Sequence, residues 1–343
     1  MEKIIVLGGK GGVGKSSISA ATAVLLSDLL PNKKILLISF DMAHNTSDLF
    51  TKEIGNKLTP LSDNLWGIEP DPNINAEEYT RELVKKMKTL MEQMPIVGKL
   101  PQINDFINTT FTADSIPLAL KNAMFFQKIL DAEDASVDSI QFDIIVADFP
   151  PTANMITLFE IPEDQVKVVL KYSLNFYNSI KGALRNFSKV LRNIIRPFAD
   201  REKRRELGKE IFNMIIELEE RAEKITDLIH QIGSLRLVTI AEKPSFEELK
   251  KARDLTKKYI NLEAVHINML IPEENAKTCE FCGNIHSIQQ HYLKGIKDEF
   301  KNFEIWQSRR LQEEPFGLDG LRKLAFEIYG NITADEILNP KLK

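Results

Sequence analysis

Residues Gly9-Lys10-Gly11-Gly12-Val13-Gly14-Lys15-Ser16 have the composition and spacing of a loop that wraps phosphate. Glycines let successive backbone N–H groups face an anion, Lys15 reaches the β- and γ-phosphates, and the Ser16 hydroxyl, with Ser17 beside it, can ligate Mg²⁺. A nucleoside triphosphate is the ligand this implies. Lys10 is additional to that chemistry. The loop already has its cation in Lys15, so a second lysine is either a solvated surface group or a charge delivered across an interface to the phosphates of a second copy, as an arginine finger is supplied in trans. In the latter case hydrolysis depends on dimer geometry.

Two acids extend the constellation. Asp41 opens the run Asp41-Met42-Ala43-His44-Asn45-Thr46-Ser47-Asp48 directly after an apolar segment. A carboxylate there can orient or deprotonate water at the γ-phosphate, or it can serve as a helix N-cap. Asp48 reads as the structural acid of the run. The second acid ends Asp143-Ile144-Ile145-Val146-Ala147-Asp148, where it can hold Mg²⁺ or a water on it. Pro150 and Pro151 then constrain the loop leading to Thr152, which can switch with γ-phosphate occupancy.

Cys279 and Cys282 are the chain's two cysteines. They exclude a disulfide framework and leave a metal or redox pair. A structural zinc takes four ligands. His286 and His291 could complete a set within the chain, or a second copy could donate its own pair about a two-fold axis. A dithiol redox switch is the third reading, although the pair does not open a helix after a strand as thioredoxin-like motifs do.

Placing these groups requires a particular scaffold. Short apolar runs at Lys3–Leu7, Lys34–Ser39, Phe142–Ala147, Leu235–Ile240 and Ala264–Leu270 read as buried strands, mostly with helical patterns between them. The pattern predicts an α/β fold with a doubly wound, mostly parallel sheet, in which ligands sit at the carboxyl ends of the strands. The loop at Gly9, Asp41 and Asp148 all fall on that edge. Residues 76–134 and 163–232 read as helical insertions forming one subdomain, which leaves 1–75, 135–162 and 233–343 as a discontinuous nucleotide-binding domain.

Apolar stripes run through both insertions. Phe176, Ile180, Leu184, Phe187, Leu191, Ile194, Ile195 and Phe198 recur at helical spacing in the second, and Leu83, Met87, Leu90, Met91 and Met94 in the first, followed by Ile96, Val97 and Leu100. From spacing alone, these stripes pack on each other; as a surface, their flexible methionines would suit varied apolar partners.

The 343 residues carry a formal net charge of -4 with charges spread throughout, so no basic field points to nucleic acid. No run of about 18 apolar residues occurs, and the N-terminus goes straight into a strand pattern, which predicts a cytoplasmic protein.

Taken together, Gly8 to Ser17, Asp41 to Asp48, Asp148-Phe149-Pro150-Pro151-Thr152-Ala153-Asn154 and Cys279-Glu280-Phe281-Cys282 with Tyr292-Leu293 resemble the arsenite-pump ATPase family. The similarity is greatest to its single-unit branch, the tail-anchored membrane protein targeting ATPases. The resemblance implies a homodimeric ATPase using ATP and Mg²⁺, with Lys10 acting in trans, Asp41 positioning water, and Asp148 as the switch acid near Mg²⁺. It implies switch roles for His44, Asn45, Pro151 and Thr152. Asn268 would contact adenine, with Leu311 to Phe316, including Pro315 and Phe316, as the adenine-side loop. It favours a zinc shared by Cys279 and Cys282 of two chains, and helices from two protomers forming a groove for client transmembrane helices, with delivery to a membrane receptor. Phe149, Pro150, Ala153 and Asn154 depart from the family's usual Thr-Ala-Pro-Thr-Gly-His after the aspartate. An arsenite-pump ATPase, a partitioning switch that binds DNA or lipid, and a redox-activated holdase are the other readings.

Overall fold

The computed structural model describes residues 1–41, 45–71, 73–74, 77–78, 81, 85, 128–132, 140–156, 159, 220 and 224–341. Its chain divides into two units, one of Met1–Asp71, Lys128–Phe159 and Thr226–Lys343, the other of Pro72–Gln127 and Glu160–Ile225. Most of the second unit, including both apolar stripes, lies outside the described residues, as does His44.

The first unit is built on eight strands: β1 (Lys3–Gly9), β2 (Ile35–Ser39), β3 (Thr59–Pro60), β4 (Leu65–Ile68), β5 (Ile144–Asp148), β6 (Gly233–Ile240), β7 (Asn261–Leu270) and β8 (Glu304–Arg309). Their order across the sheet is β3-β4-β2-β5-β1-β6-β7-β8. All neighbours are parallel except the short edge pair β3 and β4. The expected doubly wound sheet is therefore present, extended by three strands that the apolar runs did not reveal.

β1 lies at the centre because both its faces are apolar: Ile4, Ile5, Val6 and Leu7 are all buried. Such continuous apolar runs suit a parallel strand covered on both sides. Helix α1 (Lys15–Leu29) follows the glycine loop and buries Ile18, Ala20, Ala21, Ala23, Val24 and Leu26. The small alanines let it lie close to the sheet. Further helices among the described residues are α2 (Asn45–Phe50), α3 (Lys243–Thr256), α4 (Glu273–Thr278), α5 (Glu280–Glu299), α6 (Gly317–Tyr329) and α7 (Ala334–Leu338). α1 and α6 pack together and are joined by a 2.7 Å hydrogen bond between the Thr22 and Tyr329 hydroxyls.

Register sets the depth of the site. Leu7 of β1 and Ser39 of β2 both align with Asp148 of β5, so β2 and β5 end at one level and β1 runs two residues further, to Gly9. At Gly9, φ is +146° and a Cβ would fall 2.2 Å from the Val238 carbonyl oxygen of β6, so the turn from strand to loop excludes any side chain.

Candidate nucleotide site

The loop after β1 meets α1 at Gly14, whose φ of 90° is left-handed. No side chain caps the helix and no acidic residue occupies its first turn. The opening N–H groups and the positive end of the helix dipole thus face a space suited to an anion. Lys15 is buried, and its Nζ donates to the Lys10 carbonyl at 3.3 Å, which holds the chain curved around that space.

Gly11, Gly12, Gly14, Lys15, Ser16 and Ser17 line a cavity of about 950 Å³, and Asp41 and Asp48 stand on its wall. Val13 differs: its side chain is in the core and its carbonyl accepts the Asn268 amide at 3.0 Å. A second cavity of about 370 Å³ has Asn268, Pro315 and Phe316 in its lining. Ser17, Leu49, Met269 and Phe316 border both cavities, so the two adjoin. Asn268 is held at both ends of its amide, because Ser308 Oγ donates to its Oδ1 at 2.7 Å.

Asp148 is the most strongly perturbed group facing the loop. It is 1% exposed; Oδ1 accepts Ser19 Oγ at 3.3 Å, and Oδ2 has no hydrogen-bond partner among the described residues. Burial pushes its carboxyl up to about 6, with Asp41 adding to the rise, while the Ser16 hydroxyl, the Lys15 charge and Ser19 oppose it. An unsatisfied buried carboxylate oxygen beside a serine hydroxyl fits a divalent cation, which Ser16 and Asp148 would hold.

A raised carboxyl pKa favours the folded state at low pH. Its contribution is complete below the ordinary value of 3.8 and lost as pH rises through about 6. The shift corresponds to about 3 kcal/mol. The nucleotide-free protein should therefore lose more stability than Asp148→Asn between pH 4 and pH 7, measured by urea midpoints. A steeper loss in Asp148→Asn would contradict the assignment.

The segment after β5 lies against the loop. Pro151 Cγ would be 3.8 Å from a Cβ on Gly11, and the Pro151 carbonyl accepts the N–H groups of Asn154 and Met155 as a helical turn begins. Thr152 is buried with an unpartnered hydroxyl among the described residues. Phe149, unusual for the resemblance, is fully buried, edge-on to Phe40 at 5.1 Å and stacked on Phe159 at 5.4 Å. Its size is therefore absorbed by aromatic packing.

Glu69, absent from the sequence reading, anchors the start of α2. It is buried at the end of β4, and its carboxylate accepts Thr46 N–H and Ser47 Oγ, each at 2.9 Å. An acid after Leu65–Ile68 would have signalled this had that run been read as a strand. Asn45 opens α2, and its side chain lies outside the described atoms.

Cys279 is the N-cap of α5, which follows the short helix α4, and its Sγ accepts Cys282 N–H at 3.4 Å. That bond holds the Cys279 thiol below its ordinary value, while hydrogen bonding to Cys279 raises Cys282. Among the described residues no cluster of three or more His, Cys, Asp or Glu side chains could hold a metal. His286 and His291 thus do not complete a set with the cysteines; His286 Nδ1 instead donates to the Ile271 carbonyl at 2.9 Å.

A family model for anion-transporting ATPases matches residues 2–330. The chain is similar to an "ATPase ASNA1 homolog 1" of Paramecium tetraurelia, 26% identical over 337 residues that cover 94% of this chain and 90% of that protein. It is similar to an "ATPase GET3" of Meyerozyma guilliermondii, 25% identical over 335 residues, covering 94% and 88%. A Chlorobaculum tepidum protein, provisionally named an arsenical pump-driving ATPase, is 27% identical over 335 residues, covering 96% of this chain and 76% of its own length.

Proposed function

The chain belongs to the anion-transporting ATPase family, and from that premise we propose that it is a homodimeric, cytosolic ATPase that captures transmembrane helices of tail-anchored proteins and delivers them to a membrane receptor. It is a magnesium-dependent ATP hydrolase. Magnesium supplies charge neutralisation at the β- and γ-phosphate oxygens when bound.

The loop amides and Lys15 take the phosphates. Asn268, Pro315 and Phe316 take the base. Asp41 orients the attacking water, and Lys10 of a second copy neutralises charge that develops in the transition state. Burial opposes the Asp148 charge and a bound cation would compensate it, so Asp148 ties the Pro150-Pro151-Thr152 segment to nucleotide occupancy. ATP then favours a closed dimer, and hydrolysis relaxes it and releases the client. Zinc fits in half: two sulfurs are present per chain, and a second copy would supply the other two.

The observation that carries the targeting reading is the nearly full-length match to relatives named GET3 and ASNA1, whose branch the switch and cysteine motifs resemble. Co-expression with a protein ending in a transmembrane helix should give a copurifying complex that disappears when that helix is deleted. A complex indifferent to the deletion rejects the reading. A pump-driving role has support from the Chlorobaculum relative, at 27% identity against 26% and 25%; it predicts ATPase stimulation by arsenite, whereas a targeting factor is indifferent to it.

A further inference from the structure

We infer that Gln289 is a positioning residue for nucleotide binding, which clamps the end of β7 so that Asn268 stays bonded to the phosphate loop. The inference rests on the reading of Asn268 as part of the base end.

Gln289 is a polar side chain in an apolar position. On α5 it is 4% exposed and shares its buried face with Leu293 and Ile296. Burying an amide is unfavourable unless both its ends are bonded. Both are: Nε2 donates to the Met269 carbonyl at 3.0 Å, and Oε1 accepts Ile271 N–H at 2.8 Å. One side chain thus takes the place of a strand partner for two backbone groups.

Those groups need it because the ladder is interrupted there. The pairing of β7 with β8 shifts register between Ile267 and Leu270, and Met269 has a φ of 59°, rare for a residue with a side chain. This bulge lies directly after Asn268. Asn268 Nδ2 donates to the Val13 carbonyl, and a Cβ on Gly14 would meet that same nitrogen at 2.4 Å. Met269 itself borders both cavities. A continuous set of bonds therefore runs from Gln289, through the bulge, to the loop residues next to Lys15.

The helix that supplies the clamp is the one that Cys279 caps. His286, one turn before Gln289, adds its bond to Ile271. Any event at the cysteine end that turns or slides α5 acts on the same bulge.

The test is steady-state ATP hydrolysis by Gln289→Leu, Gln289→Glu and Asn268→Ala, with folding checked by circular dichroism. Loss of two hydrogen bonds that act on binding should raise KM for ATP in Gln289→Leu about fivefold or more, with kcat within about twofold of the parent protein. Unchanged KM in Gln289→Leu, with a raised KM in Asn268→Ala, overturns the clamp. Unchanged KM in both overturns the base-end reading beneath it. If Gln289→Leu does not fold, Gln289→Glu decides the matter. A glutamate keeps the acceptor for Ile271 but can donate to the Met269 carbonyl only when protonated. Its KM relative to the parent protein at the same pH should fall as pH is lowered from 8 to 6, and a ratio independent of pH overturns the inference.

Discussion

Asp41→Asn is expected to lower kcat for ATP hydrolysis by about 10²- to 10⁴-fold while leaving nucleotide affinity nearly intact. Asp41 stands on the cavity wall, outside the run Gly9 to Ser16 that receives the phosphates. It follows Phe40, whose N–H donates to the Asp148 carbonyl at 2.8 Å just beyond the end of β2. Removing its charge also removes one of the influences that raise Asp148. Asp148 then ionises more readily, and magnesium-nucleotide binding should tighten slightly if it changes at all. A helix-capping role predicts something different: a stability loss of about 1 kcal/mol with turnover intact. Single-turnover rates and ADP affinity measured on the same preparation separate the two. Turnover within about threefold of the parent protein would reject the water-positioning role.

Local chemistry was the readable part of this chain. Gly9 to Ser16 specifies strand, turn and helix through glycines at required conformations, so motif and geometry coincide. β1, β2, β5, β6 and β7 announced themselves because buried parallel strands are apolar on both faces. β8 did not, since an edge strand needs to bury only part of itself: Trp306 and Ser308 are buried while Arg309 is exposed. β3 and β4 are too short, at two and four residues, to show a period, and β4 includes Gly67. Missing β4 meant missing Glu69.

Long-range polar contacts were unreadable for another reason. The bond from Asn268 to Val13 joins residues 255 positions apart, and nothing in either local sequence specifies the other. Gln289 carries no local signal of its role, which depends on the bulge at Met269 that the fold brings to it. Phe149 was visible as a departure from the family pattern, but its explanation lies in Phe40 and Phe159, which are brought together only by the fold.

Lys10→Ala should be damaging on the same scale as Asp41→Asn, with a loss of about 10³-fold in kcat if its charge enters the transition state as an arginine finger does. The backbone role survives the change, because Lys15 bonds to the Lys10 carbonyl and not to its side chain. The Lys10 ammonium itself has no hydrogen-bond or ion-pair partner among the described residues, so its removal breaks no contact within the loop. Loss of rate alone would not show whether the lysine serves its own site or its partner's. Mixing the two variants does. In a dimer of one Lys10→Ala chain and one Asp41→Asn chain, a lysine acting in trans gives the first chain's site an intact Asp41 together with the second chain's Lys10. The other site lacks both. Equal mixing makes about half the dimers mixed, each with one competent site, so roughly a quarter of parental activity should return. A lysine acting in cis leaves both sites of every mixed dimer defective and restores nothing. Restoration must also vanish when the mixture is diluted until dimers dissociate, because neither chain alone carries both groups.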